Sequence, residues 1–235
     1  ALAVEHHPGI PRFTASFPGA AEDEGAIAAA TAEKLGTTHH SYVLKNNFFS
    51  DFQAQFKDFD QPFANSSALS LGRISKMAGA YVKVVLSGDG ADELFGGYHR
   101  HEFPGDPSFL KFIPKALHQD VLKVGAKVTG KKSLDVLRKN LALSEGRKFL
   151  NRIAVSDPET ILTLLSPQVV AETDQERLLR RLNTLFDSRK DSDQLNRLLY
   201  VDMKTTLVDE MLTKCDRMTM MNGIEGRVPF LDHRF

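Results

Sequence analysis

The sequence predicts an α/β protein, with a parallel sheet in its first part and a mostly helical second part. Three observations predict this. Short apolar runs rich in β-branched or aromatic residues alternate with helical patterns through residue 103. One of those runs, Val82, Val84 and Val85, ends abruptly in a glycine-rich turn. From about Pro107 onward the strand signals fade and helical spacing takes over. Strands alternating with helices of this length form βαβ units, and in such sheets ligands bind beyond the carboxyl ends of the strands.

The elements follow in order. Ala1–His7 reads as the end of a helix closed by Pro8-Gly9, so the chain looks cut at its start. Phe13–Phe17 is a strand ended by Pro18-Gly19, and Asp23–Leu35 is an Ala- and Glu-rich helix closed by Gly36. Ser41–Leu44 is a second short strand. Phe48–Phe59 is a helix with apolar residues at Phe48, Phe52 and Phe56. Ser67–Ala80, with Ser66 or Ser67 as N-cap, leads into a buried strand at Val82. Helices are then expected over Leu110–Val128, Leu134–Leu141, Glu145–Val155, Pro158–Leu165, Pro167–Leu185, Asp193–Leu207 and Asp209–Met221. Glu102–Lys132 is the best candidate for a mobile loop or insertion. The expected halves are an α/β nucleotide-binding half, 1–103, and a mostly helical half, 104–235, which packs as a lobe against it.

Composition excludes several classes. The formal net charge is zero, so the chain carries no electrostatic footprint for nucleic acid or an anionic membrane. No apolar run is long enough to span a bilayer. A single cysteine, Cys215, allows no internal disulfide, which points to a reducing cytoplasm. The basic residues between Lys111 and Lys148 read as a solvated helical surface.

The run Val82–Tyr98, VKVVLSGDGADELFGGY, carries the chemistry. It reads as a strand, a glycine-rich turn and a short helix. Glycines let backbone N–H groups face a ligand, and N–H groups at a helix start favour an anion such as phosphate. Asp89, Asp92 and Glu93 bring negative charge to the same place. Carboxylates repel a phosphate unless a hard cation bridges them, and magnesium takes one or two carboxylates together with phosphate oxygens. The run therefore predicts a Mg-nucleotide site.

Other candidates are weaker. Cys215 shares an apolar helical face with Leu207, Met211 and Met218, which makes it a core residue rather than a nucleophile. Asp216 and Arg217 leave that face, for an ion pair or for a ligand. Glu225, Arg227 and Asp232 suit a buried ion network closing the helical lobe onto the sheet. His6-His7 and His39-His40 are poor chelates, because adjacent side chains point different ways. Asp60-Gln61-Pro62-Phe63 with Ser66-Ser67 forms a loop with a weaker claim on substrate.

LSGDGADELFGGY, LTKCDRMTMMNGIEGRVPFLDHRF and the spacing between them resemble the synthetase domain of glutamine-hydrolysing asparagine synthetases. FTASFPGAAEDE, LGTTHHSYVL and DFDQPFANSSAL extend the resemblance, which is weakest across Pro104–Asp191. It implies a Rossmann-like parallel sheet of the ATP-pyrophosphatase (nucleotide α-hydrolase-like) type with a helical C-terminal lobe. It implies that aspartate attacks the α-phosphorus of MgATP to give β-aspartyl-AMP and pyrophosphate, and that ammonia from a glutaminase domain outside this chain then displaces AMP. ATP and Mg2+ are the implied cofactors. Ser87 and Gly88 match positions contacting AMP, and Ala15 matches one whose main chain meets adenine. Asp89 matches the acid needed to form the acyl-adenylate. Asp92 matches the carboxylate that holds Mg2+ and pyrophosphate. The resemblance leaves a homodimer open.

The departures are specific. The family's pyrophosphate loop, of the SGG-x-DS type, is missing and would precede Ala1. Its N-terminal cysteine nucleophile is missing too, and a lysine completing the synthetase site lies beyond Phe235. The polypeptide by itself is therefore expected to be inactive. β-lactam synthetases and peptide cyclases adenylate carboxylates on the same scaffold. The former tend to carry an aromatic residue where this chain has Asp89, which favours asparagine synthesis. A non-catalytic nucleotide-binding module is the remaining class, and the acids at Asp89 and Asp92 argue against it.

Overall fold

A computed structural model describes residues 2–20, 23–43, 49–50, 52–53, 59, 63, 65–102, 110, 112–130, 132–156 and 158–234. These form two compact units: 1–91 together with 205–235, and 92–204. These boundaries differ from a division at residue 103, because a C-terminal strand returns to the first unit.

In the first unit, α1 (Leu2–His6) precedes β1 (Arg12–Ser16), α2 (Gly25–Lys34) and β2 (His39–Val43). Then come α3 (Ser67–Ala78) and β3 (Val84–Leu86). β1 and β2 pair in parallel from Arg12 opposite His39 to Ser16 opposite Val43. β3 pairs in parallel with β4 (Glu225–Arg227). The sheet expected from the sequence is thus present as two parallel pairs, and β4 is a strand the sequence analysis missed. α12 (Thr213–Met220) follows a π-helical turn, Leu207–Leu212, and leads into β4. Buried Ala68 and Ala78 on α3, with Met218 and Cys215 on α12, bring these two helices close together.

Three expectations are corrected here. β3 is not a buried strand: Val84 is 40% and Leu86 57% exposed, because both side chains face a cavity. The cap of α3 comes from Asn65, whose Oδ1 accepts from the Ser67 backbone N–H at 2.9 Å and from Ser67 Oγ at 2.6 Å. Ser66 makes no side-chain cap bond. Glu225, Arg227 and Asp232 do not form a buried network. Arg227 pairs with Glu225 at 2.7 Å and Arg234 with Asp232 at 2.6 Å, both exposed, because β4 is short and its side chains meet solvent. His39 and His40 point apart, one to Thr14 Oγ1 at 3.2 Å and the other stacked on Phe13. The expected helix Phe48–Phe59 and Asp60-Gln61-Pro62 lie largely outside the described residues.

The second unit is helical. It opens with α4 (Ala91–Phe95), whose first residue belongs to the first unit, and a 3-10 turn, His99–His101. α5 (His118–Thr129) and α6 (Lys132–Ala142) form a hairpin, so the described part of the stretch expected as a mobile loop is mostly helix. α7 (Glu145–Ile153), α8 (Pro158–Leu164), α9 (Pro167–Glu172), α10 (Gln175–Asp187) and α11 (Gln194–Lys204) follow. Their starts are written locally. Ser144, Ser166 and Asp174 each accept a backbone N–H three residues on, the usual N-cap arrangement. Phe149, Leu182, Phe186, Leu198 and Val201 form the core, with the rings of Phe149 and Phe186 edge to face at 6.1 Å. Phe149 is 1% exposed, so Phe149→Ala is expected to cost about 3–5 kcal/mol, read as a lowered urea midpoint.

Candidate functional site

The two sequence runs singled out above meet in the first unit. β3 feeds the turn Ser87–Gly90, and β4 runs beside it. The Glu225 N–H donates to Lys83 O and the Ser87 N–H to Arg227 O, both at 2.8 Å. Gly90 has φ +92°, a left-handed conformation that L side chains rarely adopt. A Cβ there would also strike the side chain of Leu231, in the 3-10 turn Pro229–Leu231. The second motif thus clamps the first into its shape.

Within the turn, Ser87 Oγ donates to Asp89 Oδ2 at 2.5 Å. The Ala91 N–H closes the turn onto Gly88 O at 3.2 Å. Among the described residues, the amides of Gly88 and Gly90 donate to no protein acceptor. The turn borders a cavity of about 650 Å³, which Ser87 and Gly88 line together with Arg12, Phe13 and Thr14 of β1. Val84 and Leu86 line it too, which accounts for their exposure. Ala15 follows Thr14 on β1 and pairs with Tyr42. Four of the five residues predicted to act, Ala15, Ser87, Gly88 and Asp89, therefore lie in one unit, with Ser87 and Gly88 on the cavity wall.

Cys215 is 4% exposed, as expected of a core residue, but it also lines the cavity, near enough to Asp89 for that carboxylate's charge to act on its thiol. Burial, and after it the Asp89 charge, push this thiol up to about 11. Alkylation by iodoacetamide is therefore expected to be very slow at pH 8. It should rise about tenfold per pH unit up to about pH 11, since the thiolate is the reactive form. Asp89→Asn should move that rise to lower pH.

Asp92 opens the second unit, on the first turn of α4. Its carboxylate is exposed and has no basic partner among the described residues, a disposition that suits a hard cation. Its backbone oxygen accepts from the N–H groups of Gly96 at 2.8 Å and Gly97 at 3.0 Å. Gly96, at φ +73°, ends the helix in the left-handed conformation that favours glycine. Glu93 is different. It is fully buried and accepts from Tyr98 Oη at 3.1 Å, so it is not available to a metal, contrary to the sequence reading of three acids facing one ligand. Successive residues on a helix diverge by about 100°, so one acid can face out while the next faces in.

The asparagine synthase family model matches residues 1–235. The chain belongs to the asparagine synthase family. It is 30% identical over 243 residues to the glutamine-hydrolysing asparagine synthetase 1 of Bacillus subtilis, covering 98% of this chain and 36% of that enzyme. The glutamine-hydrolysing asparagine synthetase 1 of Arabidopsis thaliana is 28% identical over 144 residues, covering 55% of this chain and 23% of that protein. The chain thus spans about a third of the Bacillus relative's length. No solved structure matches the chain at a significant level. No helix among the described residues is long and apolar enough to cross a membrane.

Proposed function

We propose that this member of the asparagine synthase family supplies the MgATP-handling surface of a glutamine-hydrolysing asparagine synthetase. One observation carries the reading: a glycine turn that contains Asp89, has two amides without a partner among the described residues, and stands at the edge of a cavity. Unpartnered N–H groups in such a turn make an anion-binding concavity. The turn at Ser87 and Gly88 holds the α-phosphate of ATP, with the Gly88 N–H as its free backbone donor, and the main chain at Ala15 meets adenine. Asp89, held by the Ser87 hydroxyl, orients the aspartate carboxylate for attack on the α-phosphorus. The acyl-adenylate and pyrophosphate form there, and ammonia from a glutaminase domain outside this chain displaces AMP. Asp92 would hold Mg2+, whose part is to neutralise charge on the leaving pyrophosphate. The chain's own contribution is placement and fixed charge rather than covalent work.

The fold follows the same logic. β1 and β3 are each paired on one side only among the described residues, and the cavity lies between residues of both. A strand between β1 and β3 carrying the family's pyrophosphate loop would join the two pairs into a Rossmann-like sheet of the ATP-pyrophosphatase type. Its loop would then stand beside Ser87 and Gly88.

The test is aspartate-dependent exchange of labelled pyrophosphate into ATP by the full-length protein. Exchange supported by aspartate is the expected result. Exchange supported by another carboxylic acid and not by aspartate would move the protein to the ring-closing relatives. Absence of exchange with every acid would overturn the reading.

A further inference from the structure

The second unit contains a buried polar cluster that the proposed reaction does not use. Glu93 and Asp202 are both fully buried, and His101 is 4% exposed. Glu93 accepts from Tyr98 Oη at 3.1 Å and lies 4.0 Å from Arg100 Nη2. Arg100 Nε donates to Asp202 Oδ2 at 3.0 Å, and Nη2 lies 2.9 Å from the same oxygen as an ion pair. His101 Nε2 lies 2.7 Å from the same oxygen. The Arg100 guanidinium covers the Tyr98 ring at 3.7 Å, and Arg152 Nη1 donates to Arg100 O at 3.2 Å. The cluster therefore joins α4 to α11 through Asp202 and to α7 through Arg152.

We propose that Tyr98, Arg100 and Asp202 are positioning residues that hold Glu93 inward and thereby fix the outward direction of the Asp92 carboxylate. The metal half of this proposal rests on the function proposed above. α4 has five residues and cannot hold its own shape, since helices this short are unstable without tertiary anchors. Glu93 is its buried anchor, and Asp92 is the residue immediately before it. Once Glu93 is fixed, helical phase sets where Asp92 points. The far side is fixed as well. The amides of Gly96 and Gly97 both hold the Asp92 backbone oxygen, and Gly97 has no room for a Cβ because the Asp92 carboxylate lies against it. Stability alone does not explain so many buried polar groups, because an apolar replacement of a buried ion cluster is often neutral or stabilising. Nor is the cluster saturated: among the described residues, Glu93 Oε2, Arg100 Nη2, His101 Nδ1 and Asp202 Oδ1 are buried without a hydrogen-bond partner. Burial, and after it the Glu93 carboxylate, push the Tyr98 phenol up, so it stays a donor at any working pH.

The test uses the full-length protein and Tyr98→Phe, which removes one hydroxyl and keeps the ring under Arg100. Hydrogen exchange read by mass spectrometry reports on the Gly96 and Gly97 amides. Both should exchange at least about tenfold faster in the variant, the effect of losing one hydrogen bond to a charged acceptor. The Mg2+ concentration giving half-maximal ATP–pyrophosphate exchange should rise about fivefold or more, with the rate at saturating Mg2+ within about twofold of wild type. Unchanged amide exchange overturns the proposal. So does faster amide exchange with an unchanged Mg2+ requirement, or a rate loss that Mg2+ does not restore. Should Tyr98→Phe fail to fold, Arg100→Lys, which keeps a cation but loses the Nε bond to Asp202 and the cover over the Tyr98 ring, is judged by the same readouts. A wild-type protein that exchanges pyrophosphate with no acid overturns the site reading and the metal half together, and the amide exchange then decides the holding role by itself.

Discussion

Asp92→Ala in the full-length protein is expected to reduce aspartate-dependent ATP–pyrophosphate exchange by about a hundredfold or more, the size of effect seen when one preorganised electrostatic group is removed from a reacting centre. The reasoning starts from the side chain's surroundings. The carboxylate belongs to an exposed residue on the first turn of α4 and makes no salt bridge among the described residues, so its removal breaks no ion pair. Its proposed task is to help bind the metal that neutralises pyrophosphate, and that task needs charge as well as shape. Asp92→Asn keeps the shape and should lose nearly as much activity as Asp92→Ala. The thermal midpoint of both variants should stay close to wild type. Initial exchange rates at several Mg2+ concentrations check the expectation, and a variant within about threefold of wild type at all of them would remove Asp92 from the site.

Why could the sequence place acids after the turn without showing that Glu93 faces inward? Motif and composition show that acids follow a glycine turn, and that much is local. Which of two adjacent acids faces a ligand depends on helical phase and on what lies beneath. What lies beneath Glu93 is Tyr98 and Arg100, with Asp202 behind them, more than a hundred residues further along the chain. No local pattern encodes that pairing. β4 is a similar case. Glu225, Gly226 and Arg227 have two charges, a glycine and no strand propensity, and they are extended because β3 offers them an edge. By contrast, β1, β2, α2 and α3 were found within about three residues at their ends, because turn residues and apolar spacing mark them locally. Asn65 shows how finely the local signal must be read. Two serines stood at the helix start, yet the asparagine before them holds the cap, with its amide nitrogen also donating to Glu210 Oε1 at 2.6 Å. The long-range contact settled which residue caps.

Asp202→Ala should be among the most damaging single substitutions in the second unit, at about 3–5 kcal/mol. The magnitude comes from what is left behind. Asp202 is fully buried and is the anionic partner of Arg100, whose side chain is only 17% exposed. Truncating Asp202 strands that guanidinium, with Glu93 4.0 Å away as its remaining charged neighbour, and leaves His101 Nε2 without its acceptor. An exposed pair gives the contrast. Lys190 and Asp187 lie 3.5 Å apart with side chains more than half exposed, and Asp187→Ala should cost no more than about 1 kcal/mol. Urea unfolding of the two variants side by side checks the difference. A second comparison separates charge from packing. If part of the cost is the stranded cation, Arg100→Met combined with Asp202→Leu should recover part of the stability lost in Asp202→Ala, the remainder reflecting the buried Glu93 carboxylate, which loses its cationic neighbour. The double variant should nevertheless keep the altered Mg2+ dependence expected of a loosened α4, since restored stability does not restore the grip on Glu93.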